Sequence, residues 1–441
     1  MSHQISSLNS LPEELLIEIF EYLPAWSLIQ LTKCSKFLNT FVSSNNNLLS
    51  KIEVLLTENK NNKNWIGSRK YSKIKFSRCD LNQFNFIFID IGESIKEMTL
   101  QDCQINANYF KKLLTKCENL RILDLVNQDE PIDFKLVDFL DPLPKLKLKK
   151  LSLTAVNGIF NILIKCRISD LEVHLRNKDS IFGYKEFIEM QKKLKSLTII
   201  NYTEDIKFFE TDYLNVVDFR LESLTLKNIK NFESIHFEEF LLNHRKRLKS
   251  LTIDHCNASI LTLFRDFKDI KNLTISCMWI DSINLRLNFI QSVKSLTVNN
   301  VSGNWSAKFT NLQNLHIENC VVYQNHIDHF EKLNNLTIKC CAMPEIILPP
   351  NVETLVLNFV DFFDCKPFTY ELCNIKYLKI EDCEDVEWLS DYLRHGHVRL
   401  EHLRIKHTKL NKEFMKKVEK NLHKVKMFEK INHLMIKVST Y

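Results

Sequence analysis

Histidine and cysteine are the side chains here that metal or nucleophilic chemistry would draw on, and their spacing gives little to build it with. His326 and His329 stand at i, i+3, and His395 and His397 flank Gly396, but neither pair has the third and fourth ligands of a closed site. There is no CxxC and no HExxH. Six glycines in 441 residues, none within eight positions of another, exclude a glycine-rich phosphate loop. No serine or cysteine nucleophile sits in a recognisable turn. The sequence predicts a non-catalytic chain with no cofactor and no metal. Its thirteen cysteines, odd in number and without paired spacing, make a poor disulfide framework and suit a reducing compartment.

The residues better suited to recognition are charged and aromatic, and they alternate. Tyr377, Lys379 and Glu381 are spaced by two, as are His402, Arg404 and Lys406, and His316 and Glu318, with Lys339 nearby in the chain. Spacing by two puts side chains on one face of a β-strand. Aromatic, Arg and His side chains on an open strand face are typical interface material. These nine residues are the candidate substrate-binding set, with an acidic partner as one option and an ordinary mixed charged surface as the other.

A repeat is what must hold them. The pattern apolar, two variable, Leu, one variable, apolar recurs as LKSLTI (Leu194 to Ile199), LESLTL (Leu221 to Leu226), LKSLTI (Leu248 to Ile253), IKNLTI (Ile270 to Ile275), VKSLTV (Val293 to Val298), LQNLHI (Leu312 to Ile317) and LNNLTI (Leu333 to Ile338). VETLVL, IKYLKI, LEHLRI and INHLMI carry it toward the C-terminus, and LKKLSL, LRILDL and IKEMTL toward the N-terminus. Sixteen central anchors run from Ile74 to Leu434 with a mean step of about 24 residues. Five residues after the anchor stands a cysteine in six copies (Cys79, Cys103, Cys256, Cys320, Cys341, Cys383), which reads as a buried structural slot.

This array resembles the cysteine-containing class of leucine-rich repeats. The resemblance implies an α/β solenoid: a curved parallel sheet of LxxLxL strands inside, helices and irregular segments outside. Phe232 to His244 and Ala258 to Phe267 have room for outer helices, whereas PEIILPP, in the step from Leu336 to Leu355, has prolines that rule one out. Between the core leucines, Thr198, Thr225, Thr252, Thr274 and Thr297 form a ladder that β-branching alone explains. Leu410, Phe414, Val418 and Leu422 read as a last outer helix with a solvated lysine face.

Ahead of the repeats the period changes. Leu11, Leu15 and Ile19 recur at i+4, with Leu16, Phe20 and Leu23 beside them. Ser10 and Glu13 have capping-box spacing, Pro24 ends the helix, Ser27 can cap a second, and Phe37, Phe41 and Val42 suggest a third. Three short helices make a poor independent core, so the segment needs a partner or a docked neighbour. LPEELLIEIFEYL resembles the opening of an F-box through Leu11, Pro12, Glu14, Leu15, Leu16, Ile19, Phe20, Tyr22 and Leu23. Ser27 replaces the usual Asp, and Phe37-Leu38 stands near the usual Trp. The expected organisation is an F-box at 6–52, a connecting helix or linker at 53–70, and about 16 irregular repeats over 71–441.

The combined resemblance implies a substrate receptor of an SCF-type cullin–RING ubiquitin ligase. Leu11, Pro12, Leu15, Ile19, Leu23 and Leu31 would bind the Skp adaptor, and the repeats an unidentified protein substrate. The alternative is a repeat scaffold whose N-terminal helices only cap the solenoid.

Composition agrees with both. An apolar fraction of 45% with 26% charged residues is that of a folded chain. A net charge of +6 is small for this length and predicts no nucleic-acid partner. The apolar windows, such as Phe84 to Ile91, are too short for a bilayer, and MSHQISSLNSLPEELL lacks a basic leader and a cleavage site. The expected location is cytoplasmic, nuclear or both.

Overall fold

Alternation decides which side of each strand is buried. In LKSLTI and its relatives the anchor and the residue two beyond it are aliphatic, so both point to one face and pack there. The computed structural model describes residues 11–57, 69–83, 92–127, 132–133, 146–154, 156–176, 184–202, 220–229, 235–280, 291–303, 309–321, 327, 329–343, 348–362, 374–383, 386, 388–394, 400–406, 416, 420, 425, 427–430 and 435–438. Ser10, Phe84 to Ile91, His326, His395 to His397, Leu410, Phe414, Val418, Leu422 and Leu434 lie outside the described residues. The chain divides into two units, Met1–Arg220 and Leu221–Tyr441.

In the first unit, seven strands pair in parallel, each with the next in the chain: Glu53–Thr57, Lys73–Ser77, Glu97–Gln101, Ile122–Val126, Lys147–Thr154, Arg167–Leu175 and Ser196–Asn201. The anchors Ile74, Met98, Leu123, Leu151, Leu171 and Leu197 stand side by side in that register. Residues 53–57, expected to begin a connecting helix or linker, are instead a strand, with Val54 opposite Ile74. The segment EVLLT alternates and buries Val54 and Leu56, which suits a strand face and not a helical stripe.

In the second unit the strands centred on Leu224, Leu251, Leu273, Leu296, Leu315, Leu336, Leu355, Leu378 and Leu403 pair in parallel, again in register. The next parallel strand is Met427–Lys430, which sets Phe428 opposite Leu403, and Met435–Val438 then folds back antiparallel. This corrects the last repeat, expected around Leu434. Phe428 lies 25 residues past Leu403 and Leu434 lies 31 past it, and the shorter span matches the usual coil length.

Every parallel strand in these registers is the inner segment of a leucine-rich-repeat coil, and the return paths vary. The helix Ala107–Lys116 is capped by Asn106, whose side chain accepts from Tyr109 N–H, and it buries Phe110, Leu113 and Leu114. The helix Ile235–His244 lies within the expected outer segment, whereas Ala258–Phe264 is a 3₁₀ helix, the tighter form. Residues 348–353, around Pro349 and Pro350, are not helical. Among the described residues no helix is long and apolar enough to cross a membrane.

Ten coils leave their strands by the same turn. Four residues past the anchor the backbone is left-handed at Arg78, Asp102, Asn228, His255, Cys277, Asn300, Asn319, Cys340, Phe359 and Asp382. Asn and Asp tolerate this conformation best after Gly, which explains much of the row. One residue later comes the slot. All six slot cysteines are buried, and their thiols bond to backbone; Cys320 Sγ, for example, accepts from Val301 N–H at 3.4 Å. Burial pushes Cys256, Cys341 and Cys383 up to about 11, so these thiols stay protonated and inert.

The N-terminal segment has four helices, α1 (Glu13–Glu21), α2 (Ala25–Cys34), α3 (Lys36–Ser44) and α4 (Asn46–Ser50). Pro24, not Ser27, takes the N-cap position of α2, and Ser35 caps α3 by accepting from Leu38 N–H at 3.1 Å. Leu16, Phe20, Leu28, Leu38, Phe41, Val42, Leu48 and Leu49 form its core, with Phe20 edge-on to Phe41 at 5.7 Å.

Candidate functional site

Three surfaces place polar or apolar groups where a partner could reach them. The first is on α1 to α3. A helix with one buried stripe should expose its opposite side as polar, but here Leu15 (46% exposed), Ile19, Tyr22, Trp26 and Phe37 stay open to solvent while Leu16 and Phe20 supply the core. Pro12 is exposed too, and Leu11, Leu23 and Leu31 are partly covered. Leu15 and Ile19 are one helical turn apart, hence on one face. Of the Phe37-Leu38 pair, Leu38 is internal and Phe37 stacks on Phe41 at 6.1 Å with its own face exposed.

The second surface is the open face of the strands in the second unit. The register brings the predicted residues together in two groups. Tyr377 lies beside His402, Lys379 beside Arg404 and Glu381 beside Lys406. His316 and Glu318 share a strand, and Lys339 lies beside Glu318. The strand Thr354–Asn358 separates the groups, and its Asn358 lies between Lys339 and Glu381. Tyr377 and His402 meet edge to face at 4.9 Å.

Glu381 is the keystone of the larger group. It is buried, and Lys379 Nζ lies 2.8 Å from its Oε2, Asn358 Nδ2 donates to Oε2 at 3.1 Å, and Lys406 Nζ is 3.9 Å from Oε1. Burial by itself would raise this carboxyl, but the hydrogen bond and charge of Lys379, with Lys406 and Asn358, outweigh it and hold Glu381 below the usual range. One carboxylate thus serves two ammonium groups with the Arg404 guanidinium alongside; Glu429 falls beside Arg404 in the register, and the three cations still outnumber the two carboxylates. His316 Nε2 lies 3.4 Å from Glu318 Oε2.

The third surface, on the first unit, was missed in the sequence. Asp124, Ser152, Glu172 and Thr198 fall in one register row, the same position within the coil as Lys379 and Arg404. His174 Nε2 lies 2.8 Å from Glu172 Oε1, Lys150 Nζ 3.1 Å from Oε2, and Tyr202 stacks on the His174 ring at 5.8 Å. The His174 hydrogen bond first, then Lys150, prevail over burial and hold Glu172 down to about 2. Asp124, by contrast, is raised, chiefly by burial and further by the neighbouring carboxylates, although Lys150 opposes this. Reading the position after each anchor through LRILDL and the copy around Leu171 would have found Asp124 and Glu172.

Residues 8–50 match the F-box domain family. No curated protein matches the sequence. Among solved structures, the chain is similar to an internalin from Listeria monocytogenes (14% identity, 76% of this chain and 80% of that one, TM-score 0.38). It is also similar to a leucine-rich-repeat protein from Leptospira interrogans (14% identity, 85% and 99%, TM-score 0.40). The repeat fold rests on the strand register above, not on these likenesses.

Proposed function

We propose that the chain is the substrate-recognition subunit of an SCF-type ubiquitin ligase, with the F-box holding the Skp adaptor and the repeats holding a protein substrate. The observation that carries this reading is the apolar face of α1 to α3. Leu15 and Ile19 face solvent from a helix whose other side already fills the core, and exposed aliphatic surface of that kind is stabilised by a partner. Leu11, Pro12, Leu23 and Leu31 extend the docking face. The chain performs no chemistry of its own. It raises the effective concentration of the substrate near a ubiquitin-conjugating enzyme held elsewhere in the assembly. The working location is the cytoplasm or the nucleus.

The substrate docks on the open strand face of the second unit, where Lys379 and Lys406 flank Glu381, Arg404 lies beside Lys379 and Tyr377 beside His402, with His316, Glu318 and Lys339 two and three strands away. The cationic balance of that group favours an acidic segment.

A second reading has its own support. The chain passes from α4 through two residues into the strand Glu53–Thr57, so the helices stand next in the chain to the first strand of that sheet, where a capping element would be. In that reading the protein is a binding scaffold without a ligase role. Co-elution of the purified full chain with a Skp-type adaptor separates the two. The ligase reading requires a stable complex with the unaltered chain, lost in a Leu15→Glu, Ile19→Glu variant that keeps its far-ultraviolet dichroism. An unaltered chain that never binds the adaptor leaves the scaffold reading.

A further inference from the structure

In the second unit, Asp254, His255 and Cys277 set a carboxylate oxygen, an imidazole nitrogen and a thiol sulfur all within 4.8 Å of one another. They come from two neighbouring coils. Asp254 closes the strand Ser250–Asp254 and His255 follows it, while Cys277 follows the strand Asn272–Ser276. Parallel register places Asp254 beside Ser276, and the His255 N–H donates to the Ser276 carbonyl at 3.1 Å, which locks the two exit turns together. Backbone pairing therefore fixes where these donors begin.

Cys277 is not a slot cysteine. In its coil the buried slot belongs to Met278, and Cys277 stands one residue earlier, partly exposed. It is thus available to a ligand in a way that Cys256 and Cys320 are not. Asn300 Nδ2, from the following coil, donates to Cys277 Sγ at 3.5 Å. On the other side, Asp254 Oδ1 lies 2.8 Å from His255 Nδ1.

We propose that Asp254, His255 and Cys277 form a zinc-type site, three protein ligands with a fourth position open to solvent. A thiolate, an imidazole and a carboxylate are the donor types of tetrahedral Zn(II), and the mixture is too soft for calcium or magnesium. Carboxylate and thiolate together balance a divalent charge. Bond lengths of about 2.0–2.3 Å would draw the donors to roughly 3–4 Å apart. His255, whose side chain is 57% exposed, can swing to allow it. Lys227 Nζ, 3.5 Å from Asp254 Oδ2, competes with the cation. Asn300 supports the thiolate from outside the ligand shell. The open position leaves room for water or for a donor from a docked protein.

The test uses the full chain, freed of metal with a chelator and titrated with Co(II), whose thiolate complexes have charge-transfer absorption. One equivalent should produce that band, and Zn(II) should abolish it. Cys277→Ser and His255→Gln should each remove it, Asn300→Ala should weaken cobalt binding about 10-fold, and Lys227→Met should tighten it. A Cys34→Ser, Cys340→Ser variant removes the other exposed thiols among the described residues and should keep the band. The proposal is overturned if the unaltered chain gives no thiolate band at one equivalent, if the band survives Cys277→Ser or His255→Gln, or if it vanishes with Cys34 and Cys340. Melting curves for each variant show that the fold persists.

Discussion

Leu15 and Ile19 stand one turn apart on the same helix face, 46% and 43% exposed, while Leu16 and Phe20 beside them are 1% exposed. One helix therefore has two apolar faces, and substitutions on them should have opposite consequences. Leu15→Glu and Ile19→Glu should each leave the melting temperature nearly unchanged and cost at least ~2 kcal/mol of adaptor affinity, about 30-fold. Leu16→Ala should cost about 2–5 kcal/mol of stability through the cavity it leaves. Isothermal titration with the adaptor and urea unfolding distinguish the two. Equal loss of stability from both faces would show that Leu15 and Ile19 are part of the core.

The Lys379–Glu381–Lys406 arrangement makes a second division. Glu381→Gln leaves two ammonium groups without their buried counter-charge and should destabilise the second unit by about 1–3 kcal/mol. Lys406→Ser should leave stability within about 0.5 kcal/mol, yet weaken binding of a fluorescent hexaglutamate peptide roughly 10-fold. Raised salt should weaken the unaltered chain's binding too, since the groups are partly exposed. No measurable peptide binding at low salt would remove the acidic-partner reading.

What the sequence made legible was periodic. Leu224, Leu251 and Leu273 could be aligned because apolar spacing survives any variation in the return path, and the structure places them side by side. Val54 was illegible because EVLLT carries no leucine at the anchor, and the nearest copy, around Ile74, lacks one too. Phe428 was hidden by a better match, INHLMI, seven residues from the end. At the sites the difficulty was sequence distance. Tyr377, Lys379 and Glu381 alternate visibly on one strand, but Asp254, His255 and Cys277 meet only because one coil lies on the next. Asp124 and Glu172 are separated by two further coils' worth of chain, and only the register joins them.

Acid should test the buried histidine. His244 ends the helix Ile235–His244 with 2% of its surface exposed, and burial first, then the Arg247 charge, push it down to about 4. Between about 6.5 and 4 the unfolded chain binds a proton that the folded chain refuses, so stability rises with pH across that window and falls as pH drops through it. The loss from pH 7 to pH 5 should reach about 2 kcal/mol. His244→Phe should flatten it, measured as urea midpoints at the two values. Glu172 acts elsewhere: with its folded value near 2, its contribution is present above about pH 4.5 and is lost only below that. An unchanged slope in His244→Phe would assign the dependence to other groups.

Phe359 offers the sharpest test of the exit turn. It occupies the left-handed row at φ 51° with 59% of its surface exposed, where coils two and three earlier place Asn319 and Asn300 at φ 51° and 50°. A bulky L residue is strained there by roughly 1–2 kcal/mol, and asparagine relieves much of that through its short polar side chain. The Phe359 N–H donates to the Glu381 carbonyl at 3.0 Å, a bond that the substitution preserves. Phe359→Asn should therefore stabilise the protein by about 0.5–1 kcal/mol, seen as a higher urea midpoint with unchanged slope. Cys340→Asn, one coil earlier at φ 49°, should do the same. If Phe359→Asn lowered the midpoint while Cys340→Asn raised it, the aromatic ring would be making a contact worth more than its backbone strain.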